Sequence, residues 1–69
     1  SLQFEVLEFD KEDSRFAGEI RAQLTKKGTP IGPYDVLIAG QARARSLILI
    51  TNNMKEFERV NGLLVENWQ

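Results

Sequence analysis

The hydrophobic positions along the chain change period several times, and each change predicts an element. In the opening stretch, QFEVLEF, apolar and polar residues alternate: Phe4, Val6 and Glu8 fall on one side, Glu5, Leu7 and Phe9 on the other. Alternation marks a strand, because successive side chains point to opposite faces, and apolar character on both sides predicts burial. The spacing then lengthens. Asp10 to Ser14 offers several helix N-caps, and Phe16, Ala17, Ile20 and Leu24 recur at helical intervals. Lys26, Lys27 and Gly28 close the run with cations and a glycine suited to a left-handed helix end. These signals predict a helix over about residues 13–26.

GTPIGP, with two prolines and two glycines, reads as a loop. Pro33 suits the first turn of a second helix, where its missing N–H has no intrahelical partner. That helix, from Pro33 to about Arg45, is rich in small and aliphatic residues (Val36, Leu37, Ile38, Ala39, Gly40, Ala42, Ala44), which predicts packing on several sides. SLILIT is short, uninterrupted and aliphatic, the pattern of a fully buried parallel strand. NNMKEFERV predicts a short helix capped by Asn53, Asn61-Gly62 a turn, and LLVENW a last strand. The order β-α-α-β-α-β predicts one α/β domain over residues 1–69, a parallel sheet with flanking helices. The buried strand wants cover on both faces, and the chain begins inside what reads as a core strand. The pattern is that of half a domain.

Composition narrows the chemistry. A chain of 69 residues has a thin core. It contains no cysteine and no histidine, which excludes disulfides, thiolate or zinc sites and a histidine base within this chain. Any catalytic metal would sit on oxygen ligands, as Mg²⁺ or Mn²⁺ do. Nine basic against ten acidic residues, a net charge of −1, is no footprint of a DNA-coating protein. The local cations Arg15, Arg21, Lys26, Lys27, Arg43 and Arg45 suit solvated helix faces and helix C-termini. No apolar run approaches a membrane span, and with no cysteine and no signal peptide the expected setting is cytoplasmic.

Asp35 falls in the first turn of the second helix, where free N–H groups and the helix dipole favour a carboxylate, so it is expected to stay ionised. Acids are common in such turns as plain stabilisers. Thr51, Asn52 and Asn53, however, end a strand, and ligands of open α/β sheets bind just beyond strand C-termini. Asp35 and the Thr51–Asn53 end can therefore face one cleft. Asn53 and Glu56 fit a capping pair; equally, either can coordinate or orient a hydrated ion. Tyr34 can stack on a base or simply pack. Trp68 reads as a core or edge anchor and Phe57 as core. No phosphate-cradling loop is present, since GTPIG lacks the lysine and spacing of a P-loop.

From VLEFD to ENW, and above all in GTPIGPYD followed by an apolar strand and TNNxxEFxRV, the chain resembles the C-terminal half of a PIN-domain ribonuclease toxin of the VapC type. The resemblance implies acidic and polar residues gathered at the C-terminal edge of a parallel sheet, holding Mg²⁺ or Mn²⁺ for hydrolysis of RNA. It implies that Asp35 is the family's third acid, that Asn53 holds a position that is Asp in many relatives, and that Glu56 can supply the nearby carboxylate. Thr51 matches the polar residue at the strand end. It further implies a VapB-type antitoxin as partner, RNA as substrate (the anticodon loop of tRNA for some relatives), and phosphate contacts from Lys26, Lys27 and Arg43. The family's first acid, in an L-D-T-N stretch, and its early Glu have no counterpart here. Such a chain is expected to be inactive alone and to need either the N-terminal half or a second copy of itself. The competing expectation is a non-catalytic, self-associating fragment that binds neither metal nor RNA, with Asp35 and Glu56 acting only as helix caps.

Overall fold

The computed structural model describes residues 8–68. The predicted strand QFEVLEF falls almost wholly on residues 1–7, outside the described residues. The elements, in chain order, are α1 (Lys11–Lys26), α2 (Pro33–Ala44), β1 (Ile48–Thr51), α3 (Met54–Phe57) and β2 (Leu64–Asn67).

α1 starts two residues earlier than its hydrophobic spacing predicts, because two aspartates form a reciprocal capping box. The Asp13 N–H donates to Asp10 Oδ1 at 2.9 Å, and the Asp10 N–H donates to Asp13 Oδ2 at 3.0 Å. Both long helices end alike. After α1, Gly28 adopts φ 72°, and the Thr29 N–H donates to the Leu24 carbonyl at 2.9 Å. After α2, Ser46 adopts φ 56°, and the Leu47 N–H donates to the Ala42 carbonyl at 2.8 Å. These are left-handed C-terminal caps; the first uses the expected glycine and the second forces a serine into the same conformation.

α1 and α2 run antiparallel, with Asp13 beside Gln41 and Arg45 at one end and Arg21 and Thr25 beside Pro33 and Val36 at the other. They cross closely at Gly40: a Cβ placed there would lie 2.7 Å from the Cα of Ala17. Ile20, Leu24, Ala39, Leu49, Phe57 and Val60 form the core, with Ile31, Ile38, Leu63 and Val65 packed against it.

β1 and β2 pair in parallel, Ile48 opposite Leu64 through Thr51 opposite Asn67, and the Trp68 N–H extends the ladder to the Thr51 carbonyl at 2.9 Å. The parallel pairing was predicted; full burial of SLILIT was not met. Ser46 and Leu47 belong to the turn after α2, so the strand starts at Ile48. Within the strand, Leu49 and Thr51 are buried under the helices while Ile48 and Ile50 stay 54% and 45% exposed. The helices cover one face only, and Leu64 adds to the open face opposite Ile48. Trp68, expected as an anchor, is 49% exposed. No helix among the described residues is long and apolar enough to cross a membrane.

Candidate functional site

The cleft forms where three chain segments converge. α2 begins at Pro33 and presents Asp35 in its first turn, with Gly32 as the cap residue. The aliphatic run of β1 is pulled into the core by Leu49 and ends in Thr51, which is buried. The chain then turns sharply, with Thr51 Oγ1 accepting from the Asn53 N–H at 2.9 Å. This short-range bond is the local side-chain-to-backbone closure that threonine offers at a strand end. α3 comes next, its Phe57 buried in the core.

A cleft of about 190 Å³ lies between them, lined by Asp35, Ile38, Leu49, Thr51, Asn53 and Phe57. Three of the polar residues singled out in the sequence therefore share one cavity. Its apolar walls, Ile38, Leu49 and Phe57, were identified only as core; their role in the cleft depends on which side of the core each one faces.

Glu56 does not line the cavity but reaches Asp35 from the side. The neighbouring Glu56 carboxyl, by favouring a shared proton, is the main influence on Asp35; partial burial and the charge of Glu56 add to it, and together they push the Asp35 pKa up to about 6. Asp35 was expected to stay ionised at the helix start; at neutral pH it still is for the most part, but it holds its charge much less strongly than a first-turn acid alone would. A second carboxyl at contact distance outweighs a first-turn dipole, which is partly screened. The capping pair is likewise absent: Asn53 stands at the cap position of α3, but its side chain makes no capping bond, and Glu56 turns toward Asp35. One oxygen of Glu56, Oε1, is buried without a hydrogen-bond partner. An orphaned buried acceptor is costly and signals either strain or a ligand that completes it. Among the described residues no group of three or more acidic side chains is assembled for a metal ion.

The predicted phosphate contacts divide. Lys26, at the end of α1, and Lys27 after it are exposed, at the same end of the helix pair as Asp35. Tyr34, next to Asp35, is 49% exposed. Arg43 lies at the opposite end of α2, its guanidinium 5.3 Å from the centre of the Phe16 ring and against Gly62, and is not brought to the cleft.

A second polar cluster was not foreseen. Asp13 has no solvent exposure. It accepts from Arg45 Nη2 at 2.8 Å and Nε at 3.2 Å, and from Gln41 Nε2 at 3.0 Å, all across to α2. Arg45 first, then the Asp10 backbone and Gln41, hold its carboxyl well below the usual carboxylate range against the burial that would raise it. The sequence did carry a signal: Asp13 stands in helical register with buried Ala17, Ile20 and Leu24, so an acid occupies a core position. The cluster joins the far ends of α1 and α2 and serves their packing.

Comparison with known proteins bears on this geometry. The family model described as PIN domain matches residues 1–63. The chain is 50% identical over 66 residues to a tRNA(fMet)-specific endonuclease VapC of Salmonella typhimurium, covering 96% of this chain and 50% of that protein. It superposes with TM-score 0.86 and 50% identity on the crystal structure of DNA-bound VapBC from Salmonella typhimurium, covering 96% of this chain and 50% of that one. The structure of VapBC2 from Rickettsia felis, bound to a DNA fragment from its promoter, gives TM-score 0.83 and 44% identity over 88% of this chain and 46% of that one. The chain thus spans about half the length of the relatives it matches.

Proposed function

The chain belongs to the PIN domain family, and on that premise we propose that it forms one wall of the active cleft of an endoribonuclease toxin acting on RNA of the tRNA class. The observation that carries the reading is the meeting of Asp35 and Glu56 beside a cavity at the C-terminal end of β1, where Thr51 and Asn53 also lie. All four bear side-chain oxygen, two as carboxylates, one as a hydroxyl and one as an amide carbonyl, in a chain without cysteine or histidine.

The donor set fits a hard divalent cation. Asp35 and Glu56 would hold Mg²⁺ or Mn²⁺, with the unpartnered Glu56 Oε1 as a ready ligand atom. Such an ion, when bound, lowers the pKa of water and offsets charge that builds on a phosphate. The chain's own groups do the rest. Thr51 holds the Asn53 backbone so that the amide faces the cleft; Ile38, Leu49 and Phe57 exclude water from its floor. Lys26 and Lys27 attract the phosphate backbone toward that end of the helix pair, and Tyr34 offers a surface on which a base can stack.

Two carboxyl groups are a sparse ligand set, so cleavage is expected of the complete PIN domain, where further acids join them. The partners in this reading are the upstream half of the domain, or a second copy, together with a VapB-type antitoxin; the likeness to VapBC complexes supports the latter. A second reading, a self-associating fragment without catalytic function, draws on the open apolar face of Ile48, Ile50 and Leu64.

Asp35→Ala in the complete protein separates them. The nuclease reading expects metal-dependent RNA cleavage to vanish while stability changes by no more than about 1 kcal/mol, the scale of a first-turn charge. Cleavage that persists unchanged would remove Asp35 from the site.

A further inference from the structure

α3 is a single turn, Met54–Phe57, too short to hold its place through its own hydrogen bonds. Its buried side chain is Phe57. Phe57 and, one turn further on, Val60 pin its apolar side to the core, but neither holds the polar side that carries Glu56. The polar tie beyond these anchors comes from Arg59. Its backbone N–H donates to the Glu56 carbonyl at 3.2 Å, so the two residues belong to one continuous turn. Its side-chain Nη1 donates to the Pro30 carbonyl at 3.0 Å.

Pro30 lies in the loop that leads into α2. That loop is fastened at one end by the Thr29 N–H on the Leu24 carbonyl, 2.9 Å, and at the other by the Val36 N–H on the Gly32 carbonyl, 3.0 Å. Pro30 and Pro33 have no N–H to donate, so carbonyls must carry much of the remaining anchorage. The loop also backs the acid: a Cβ on Gly32 would stand 3.6 Å from Asp35 Oδ2. Arg59 therefore spans from the turn that carries Glu56 to the loop against which Asp35 rests.

We infer that Arg59 is a positioning residue of the cleft, tying α3 to the 29–32 loop and so setting the reach of Glu56 toward Asp35. It touches neither acid and acts through the backbone on both sides. A guanidinium suits the task, since it stays charged and its planar fork is pre-organised for a carbonyl. The inference rests on the reading of the cleft as a divalent-metal nuclease site.

The test uses the complete protein, wild type, Arg59→Ala and Arg59→Lys, with Mn²⁺ titrated calorimetrically and amide exchange followed without metal. Arg59→Ala should weaken Mn²⁺ binding about tenfold, the low end for residues that orient metal ligands from behind. The Thr29 and Val36 amides, whose bonds fasten the two ends of the loop, should exchange faster in that variant, and Arg59→Lys, which keeps a donor, should recover part of both effects. Unchanged Mn²⁺ binding in Arg59→Ala overturns the positioning role, whatever the exchange shows. If the wild type itself binds no Mn²⁺, the metal reading of the cleft has failed. Exchange then decides Arg59 by itself: acceleration at Thr29 and Val36 supports the tie, and no acceleration refutes it.

Discussion

Adding one methyl group at Gly40 should destabilise the protein although it improves helix propensity. Alanine in a helix interior is favoured over glycine by about 1 kcal/mol. At Gly40, however, the new Cβ would stand 2.7 Å from both Cα and Cβ of Ala17 and 2.8 Å from its backbone nitrogen. Ordinary carbon contacts are about 3.5–4.0 Å, so α1 and α2 must part by roughly 1 Å. The obstructing atoms are backbone and Cβ, which no rotamer change can move. Overpacking a closed core costs about 1–3 kcal/mol; a clash with backbone atoms belongs to the upper part of that range, about 2–3 kcal/mol, which leaves a net loss of about 1–2 kcal/mol after the propensity gain. Gly18 is the control. It lies in α1, and a Cβ added there would meet nothing within 4 Å, so Gly18→Ala should show the propensity gain alone, about 0.5–1 kcal/mol. The same chemical change should thus have opposite signs at two positions. Urea unfolding of the complete protein, followed by circular dichroism, measures both. A Gly40→Ala variant as stable as the wild type would mean that the two helices do not cross at this distance.

Other consequences can be checked on the same material. Ser46 holds φ 56° at the end of α2, where glycine carries no Cβ penalty; Ser46→Gly should stabilise by about 1 kcal/mol in the same urea titration, and a loss would argue against the left-handed cap. Arg45→Met leaves the Asp13 carboxylate without its cation inside the helix pair and should lower the melting temperature clearly, whereas Arg15→Met removes exposed contacts, with Glu12, Glu19 and the face of the Phe16 ring, and should change it much less. Equal effects would deny Asp13 its structural role. The Asp35 pKa is raised from 3.8 to about 6, so this group contributes stability that is fully present below the unfolded value and lost as pH rises through the folded one. Metal-free protein should therefore lose stability between about pH 4 and pH 7, and Asp35→Asn should flatten that fall; an equally steep fall in the variant would dissociate it from the Asp35–Glu56 pair.

Local pattern was enough for the helices and for the direction of the strands. Apolar spacing at 16, 17, 20 and 24, Pro33 at a helix start and Gly28 at a helix end are short-range signals, read by the backbone within a turn or two. The same holds for the parallel pairing, since a short aliphatic run leading into a helical segment leaves few other topologies. Asp35, Thr51 and Asn53 were legible as neighbours because helix starts and strand ends are positions along the chain, and the α/β architecture brings such positions to one edge. Periodicity could not say how many faces of β1 would be covered; that depends on where whole helices pack, and they cover the Leu49 side alone. Nor could it assign Glu56. A capping partner and a partner for Asp35 look identical in sequence, and the choice fell to the placement of α3 by Phe57 and by Arg59 on Pro30. Asp13 makes the same point from inside the core: its charge is tolerable only because Arg45 and Gln41 arrive from the other helix. Sequence determined the elements and the ends that carry polar groups, because those are local energies. Tertiary structure decided which carboxyl groups meet and which apolar face stays open, because those are distances between segments far apart along the chain.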